Sequence, residues 1–367
     1  MYRRVAGVGL ALTMLVAGCG HSSSTSQGPA TSSTPVPSVA TSSTRAASAT
    51  SQAARDLPDP HTLRGLTEVP ELPDPKPVEG SSAQKLPVTV TDVEGNKVTI
   101  KSTSRILALD LYGTLSRTLI GLGLGDKIVG RTVSSTEKQL HDRPVVTENG
   151  HVLNVEAVAG LKPSVIIADR SVGPKEALDQ LRKSGIPVVL VDPHRSVGST
   201  PQLIRTIADA VGKPDAGEAL VKRTKEQIDQ AKKQIAAWKP AKPMRVAFLY
   251  VRGNAGVFFI LGSENGASEL IQGVGADDVA SDKGITTLVP ANAESLVSIN
   301  PDAIFVMRDG LASTGGMKGL LARAGVANTT AGRKQRVISI PDGISLSFGP
   351  QTGEVLTAVA KALYGVK

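Results

Sequence analysis

The chain has 367 residues, 40% of them hydrophobic, a formal net charge of +8, five histidines and a single cysteine. One cysteine excludes an internal disulfide and a multi-thiol zinc site. Basic residues are scattered and aromatic residues make up only 3% of the chain, so the charge lacks the dense stripe and stacking platforms of a nucleic-acid binder.

At the N-terminus, Arg3 and Arg4 precede an apolar stretch from Val5 to Val16, followed by the small residues Ala17 and Gly18 and then Cys19. This is the layout of a secretory signal peptide over residues 1–18, with an apolar run too short to span a bilayer comfortably. The segment Val16-Ala17-Gly18-Cys19 resembles the bacterial lipoprotein box. That resemblance implies lipidation of Cys19 and a tethered protein on the extracytoplasmic face of the cell membrane. Residues 20–54 are mostly Ser, Thr, Ala, Pro and Gly, too poor in large apolar groups to offset the entropy of ordering. The next stretch carries Pro58, Pro60, Pro70, Pro73, Pro75 and Pro77. Residues 19–85 are therefore expected to form a disordered, proline-stiffened tether with a reach of roughly 45 Å.

Folded sequence is expected from Leu86. Alternating apolar residues around Glu94-Gly95-Asn96 predict a β-hairpin, and strands are predicted at Ile106–Leu109, Ile128–Arg131, Ser164–Ala168 and Pro187–Val191. Helical patterns at Gly173–Lys183 and Pro201–Ala210 make residues 86–212 an α/β lobe on a mainly parallel sheet. Within residues 213–241, Ala219, Leu220, Ile228, Ala231 and Ile235 trace the stripe of one continuous helix about 30–36 Å long. Residues 242–367 repeat the α/β pattern, with strands at Arg245–Val251, Ala303–Val306 and Val337–Ile340 and a last helix near Thr352–Leu363.

An internal repeat ties the halves together. Leu153 to Asp169 reads LNVEAVAGLKPSVIIAD and Ala291 to Met307 reads ANAESLVSINPDAIFVM. Without a gap, Asn154 aligns with Asn292, Glu156 with Glu294, Pro163 with Pro301 and Ile166 with Ile304. The predicted fold is α/β: two similar lobes with mainly parallel sheets, a single long helix between them and a ligand cleft between the lobes.

Leader, repeat and connecting helix resemble the helical-backbone (class III) periplasmic-binding proteins of ABC transporters, which receive haem, corrinoids and ferric siderophores. Within that class the runs VVTENGHVLNVE (145–156) and DRSVGP (169–174), with Phe348-Gly349-Pro350, are most similar to haem receptor lipoproteins of Gram-positive bacteria. The resemblance implies a haemin-binding lipoprotein that delivers its ligand to an ABC permease, with haem as cargo. A siderophore or corrinoid receptor of the same class is the alternative.

Ligands of open α/β lobes sit beyond the carboxyl ends of the strands. His151, before the first repeat helix, and Tyr250, near the end of the strand opening the second lobe, occupy such places and are expected as haem axial ligands. Arg252, two residues on, shares the strand face of Tyr250 and is expected to support it. His141, Tyr112 and His194 are rival ligands. Arg131, Arg170 and Arg308 each follow a strand and could meet the propionates, although each reads equally as surface charge. Asn254 and Phe258 are further candidates for the pocket wall. Glu156 and Glu294 are expected to dock the permease, the plain alternative being a favourable acid at a helix start.

The five histidines are too dispersed for a free-metal site. G-x-S-x-G, Walker-type, H-E-x-x-H and strand-following G-x-G-x-x-G motifs do not occur, so a non-enzyme is expected. Gly121 to Gly125 (GLGLG) follows a helix and reads as a C-terminal turn. The folded part is expected to be monomeric, with limited closure on ligand uptake because one stiff helix joins the lobes.

Overall fold

The computed structural model describes residues 57–79, 84–253 and 256–367. The signal peptide, Cys19 and Asn254 lie outside them.

The first described segment corrects the expected tether. Leu57 to Glu79 is not a free linker but a strap built onto the folded body. Asp59 accepts a hydrogen bond from the His61 amide at the start of a short 3-10 turn, Pro60–Thr62. Strand β1, Leu66–Glu68, then pairs in parallel with the strand at Val337–Ile340. Beyond Val69, which is fully buried, the strap crosses from one half of the molecule to the other. Arg308 donates to Glu71 at 2.6 Å and Gln351 to the Pro73 carbonyl at 2.9 Å. Asp74 accepts the Lys138 and Gln139 amides at 2.8 and 2.9 Å, and Val78 donates to the Gly121 carbonyl. A proline-rich chain cannot donate within a sheet interior, but it serves well at an edge and as an array of acceptors.

The N-terminal lobe opens with a hairpin, β2 (Val88–Thr91) and β3 (Lys97–Ile100). Its turn is closed by Asp92, whose carboxylate accepts the Glu94 and Asn96 amides. Strands β4 (Ile106–Leu109) and β5 (Ile128–Gly130) follow, then a small hairpin of β6 (Thr147–Glu148) and β7 (Val152–Leu153). With β8 (Val165–Ala168) and β9 (Val188–Leu190) they give a parallel sheet of order β5-β4-β8-β9. The period-2 geometry explains the unbroken apolar runs: Ile106 and Ala108 enter one core cluster, Leu107 and Leu109 the other. Helices α1 (Thr114–Gly121), α2 (Val155–Gly160), α3 (Lys175–Lys183) and α4 (Thr200–Ala210) cover the two faces. Gly123, at φ +78°, turns the chain after α1 as a helix C-terminus requires.

Helix α5, Pro214–Trp238, serves both halves: Leu220 and Val221 enter the first lobe's core, Ala231 and Ile235 the second's. The second lobe comprises β10 (Arg245–Arg252), β11 (Val257–Ile260), β12 (Asp277–Asp278), β13 (Val289–Pro290), β14 (Ala303–Met307) and β15 (Val337–Ile340). Strand β10 pairs in parallel with β12 and β14, and β14 with β15. The order β12-β10-β14-β15 therefore repeats β5-β4-β8-β9 strand for strand. Strands β1, β11 and β13 are additions at the margins. Helices α6 (Ala267–Gly273), α7 (Ala293–Ile299) and α8 (Thr352–Tyr364) complete the lobe.

The repeat is equally exact in backbone. Asn154 caps α2 through the Ala157 amide, and Asn292 caps α7 through Ser295. Lys162 and Asn300, each just before the aligned proline, both adopt positive φ, +46° and +36°. The described residues form one compact unit. Arg117 shows how the lobes are joined: its guanidinium donates to Gln351 at 2.8 Å and to the Gly343 carbonyl, and pairs with Glu137 at 3.3 Å, all out of solvent.

Candidate functional site

The carboxyl ends of both parallel sheets carry the chemistry. In the second lobe, β10 places Tyr250 and Arg252 on one face, opposite Phe259 and Val257 of β11. The Arg252 guanidinium lies 4.8 Å from the centre of the Tyr250 ring. It also pairs with Asp342, just beyond β15, at 2.6 Å. Burial pushes the Asp342 carboxyl up from its ordinary range, opposed by the Asp309 amide and by Arg252. The cation thus sits over the ring, and its charge is matched by a carboxylate.

His151 stands at the tip of the β6–β7 hairpin, exposed, after Asn149 and Gly150 at φ +48° and +88°. Its carbonyl accepts the Gly173 amide at 2.9 Å, and Val146 bonds to the Arg131 carbonyl, so the hairpin is fixed beyond the ends of β5 and β8. His141 is exposed beside Asp142, after the short turn Lys138–Leu140, and His194 is exposed in the loop after β9.

The first lobe holds a second cluster. Asp110 directly follows β4, Asp169 directly follows β8, and Arg195 lies in the loop after β9. Arg195 pairs with Asp169 and lies 3.7 Å from Asp110, all three side chains being almost fully enclosed. Asp110 also accepts the Thr114 amide at the start of α1. Desolvation first, and the neighbouring Asp169 second, push the Asp110 carboxyl up to about 7, against the pull of Arg195. Above this cluster Tyr112 lies with its ring centre 5.7 Å from the Arg195 guanidinium. Burial, then Asp169, raise its phenol above the ordinary value.

Sequence reasoning did not single out Asp110, Asp169, Arg195 or Asp342. The available signal was an aspartate ending two buried strand runs, Leu107-Ala108-Leu109-Asp110 and Ile166-Ile167-Ala168-Asp169.

Three of the sequence candidates are already engaged within the protein. Arg170 is engaged by Glu94 at 2.8 Å and Asp179 at 3.0 Å, bracing the β2–β3 turn. Arg308 is held by Glu71 and the Val69 carbonyl in the strap. Phe258 is a core residue, 8% exposed, beneath Arg323. Both arginines lie where local carboxylates or carbonyls capture them, which their position after a strand could not reveal. Arg131 is different: half-buried, it makes one long contact to the Ser135 carbonyl, has no carboxylate partner among the described residues, and leaves its Nε without an acceptor.

Glu156 and Glu294 occupy the same place in the first turns of α2 and α7, and both are exposed. A groove of about 740 Å³ opens elsewhere, between the strap, α5 and α8, and none of the candidate ligands lines it.

The sequence matches the family described as Periplasmic binding protein over residues 111–343. Among solved structures, the heme binding protein HmuT is 49% identical, with a TM-score of 0.82 over 84% of this chain and 100% of that one. Three further structures of HmuT carry alanine in place of one histidine, one tyrosine or one arginine. An uncharacterized ABC transporter substrate-binding lipoprotein of Bacillus subtilis, YvrC, is 27% identical over 76% of this chain and 86% of its own length. The cobalamin-binding protein of Halobacterium salinarum is 24% identical over 80% of this chain and 78% of its own length.

Proposed function

We propose, from the premise that this chain belongs to the periplasmic binding protein family, that it binds haemin between its two lobes and hands it to an ABC permease. The nearly half-identical match to a heme binding protein, over all of that chain, supports haem as the cargo. The observation that carries the reading is the Tyr250–Arg252–Asp342 cluster at the carboxyl sheet edge of one lobe, together with an exposed imidazole on a hairpin beyond the strand ends of the other. Imidazole nitrogen and phenolate oxygen are both haem-iron ligands, and one from each lobe would clasp the two faces of a flat macrocycle.

His151 is favoured over His141 and His194 by spacing. In HmuT the substituted histidine and tyrosine are 99 positions apart, with the arginine two beyond, and His151, Tyr250 and Arg252 stand at those same separations. Arg131 is the remaining first-lobe cation for a propionate. Glu156 and Glu294, symmetric and exposed, suit a permease with two similar halves. Extracytoplasmic work follows from the family, while anchorage through a lipid on Cys19 and a monomeric body are further parts of this proposal.

The test is a haemin titration of the purified chain followed by visible absorption. Saturable one-to-one binding is expected, with iron-ligand bands altered by both Tyr250→Ala and His151→Ala. Unaltered bands in both variants would discard the ligand pair. The cobalamin-binding relative favours a corrinoid as the second reading, and uptake of cobalamin with no specific haemin spectrum would establish it instead.

A further inference from the structure

The coordination proposed above uses Tyr250 and leaves idle a tyrosine at the corresponding sheet edge of the first lobe, Tyr112. Because the strand orders match, β4 and β10 hold equivalent places. Tyr112 lies just past the end of β4, and Tyr250 near the end of β10. Each ring rests on an arginine, Arg195 at 5.7 Å and Arg252 at 4.8 Å, and each arginine is held by an aspartate just beyond the end of another strand of its sheet.

The two clusters differ in what reaches the surface. Arg195 is sealed, with 2% of its side chain exposed, so it cannot itself meet a ligand's carboxylates. Enclosing one cation with two carboxylates is a poor route to stability, since packed apolar groups do as well or better. What the cluster delivers is a fixed aromatic ring that remains partly exposed. Tyr112 also packs against the core of the second lobe, so its ring lies where the two lobes meet. With His151 and Tyr250 taking the two axial positions in the haem reading, the Tyr112 ring, set against Arg195 and partly exposed, is left to act as an aromatic wall.

We infer that Tyr112 is a second ligand-contacting aromatic, its ring packing on the macrocycle from the first-lobe side without bonding the iron. This rests on the haem reading above. It gives Tyr112 a different role from that of the rival iron ligand expected from sequence.

The experiment compares haemin with iron-free protoporphyrin IX on the native chain and on Tyr112→Ala, Tyr112→Phe and Tyr250→Ala. Tyr112→Ala is expected to weaken both macrocycles alike, by about tenfold, with haemin bands at their native positions. Tyr112→Phe keeps the ring, guards against misfolding and should stay within about twofold of native. Tyr250→Ala should weaken haemin far more than protoporphyrin. A Tyr112→Ala chain that binds both macrocycles as the native chain does, or one with shifted haemin bands, overturns the inference alone. A native chain that takes up no haemin overturns the functional reading and this inference with it.

Discussion

The two lobes put the same ingredients, tyrosine, arginine and aspartate, at equivalent sheet edges and treat them in opposite ways. In the first lobe the charges are enclosed: Arg195 is 2% exposed and its aspartates are not exposed at all. In the second, Arg252 and Asp342 keep 33% and 18% of their side chains in contact with solvent. Enclosed charge shapes a surface and resists rearrangement. Half-open charge can still respond to a ligand that arrives. On the proposed reading the repeat divides labour, with an enclosed wall in one lobe and the responsive chemistry in the other.

The largest expected effect tests that division on stability. Arg195→Met strands two buried carboxylates and should destabilise the fold by about 3–5 kcal/mol. Arg252→Met breaks a partly solvated pair and should lower stability by only about 1 kcal/mol while changing the haemin spectrum. Chemical denaturation of both variants measures the contrast, and equal losses would dissolve it.

A smaller effect is read from pH. Asp110 has a folded-state pKa of about 7, raised above an ordinary carboxylate near 4. Between those values the folded chain binds more protons than the unfolded one, so stability falls as pH rises through the window and levels off above it. Thermal melts from pH 4 to pH 8 should show that slope in the native chain and a shallower one in Asp110→Asn. An unchanged slope would mean that Asp110 stays ionised throughout.

The smallest effect concerns the strap, which is bonded to both lobes. Asp74→Ala removes acceptors for the Lys138 and Gln139 amides and should lower stability by about 1 kcal/mol, leaving the haemin spectrum untouched. A spectral change would show that the strap reaches the site.

Much of this was legible in residue order. Buried runs such as Ile106-Leu107-Ala108-Leu109 declare strands covered on both faces, and the aligned Asn, Glu and Pro of the repeat declare two lobes. Tyr250 with Arg252 is a local pattern, two residues apart on one strand. Asp342 is not local: it reaches Arg252 from 90 residues away, through the β14–β15 crossover. Arg195 was hidden for the same reason, its partners Asp169 and Asp110 arriving from other strand ends. The strap was misjudged because proline content speaks for an extended chain but not for what it lies against. The spaced apolar residues Val69, Leu72 and Val78 were the overlooked sign, since each packs with a core cluster.

Strand β1 also fixes where the rest of the chain is attached. It runs parallel to β15, with Leu66 beside Val337 and Glu68 beside Ser339, so the polypeptide enters at the amino end of that sheet. Asp342, Arg252 and Tyr250 lie at the opposite, carboxyl end. Any mechanical load carried by the residues before Leu57 would first be borne by the β1–β15 pairing and by the Lys334 amine on the His61 carbonyl. The proposed haem site would feel it last. On the proposed reading, the end at which the chain would be moored and the end at which it would take up haem are opposite ends of one sheet, so the protein could be held without being squeezed.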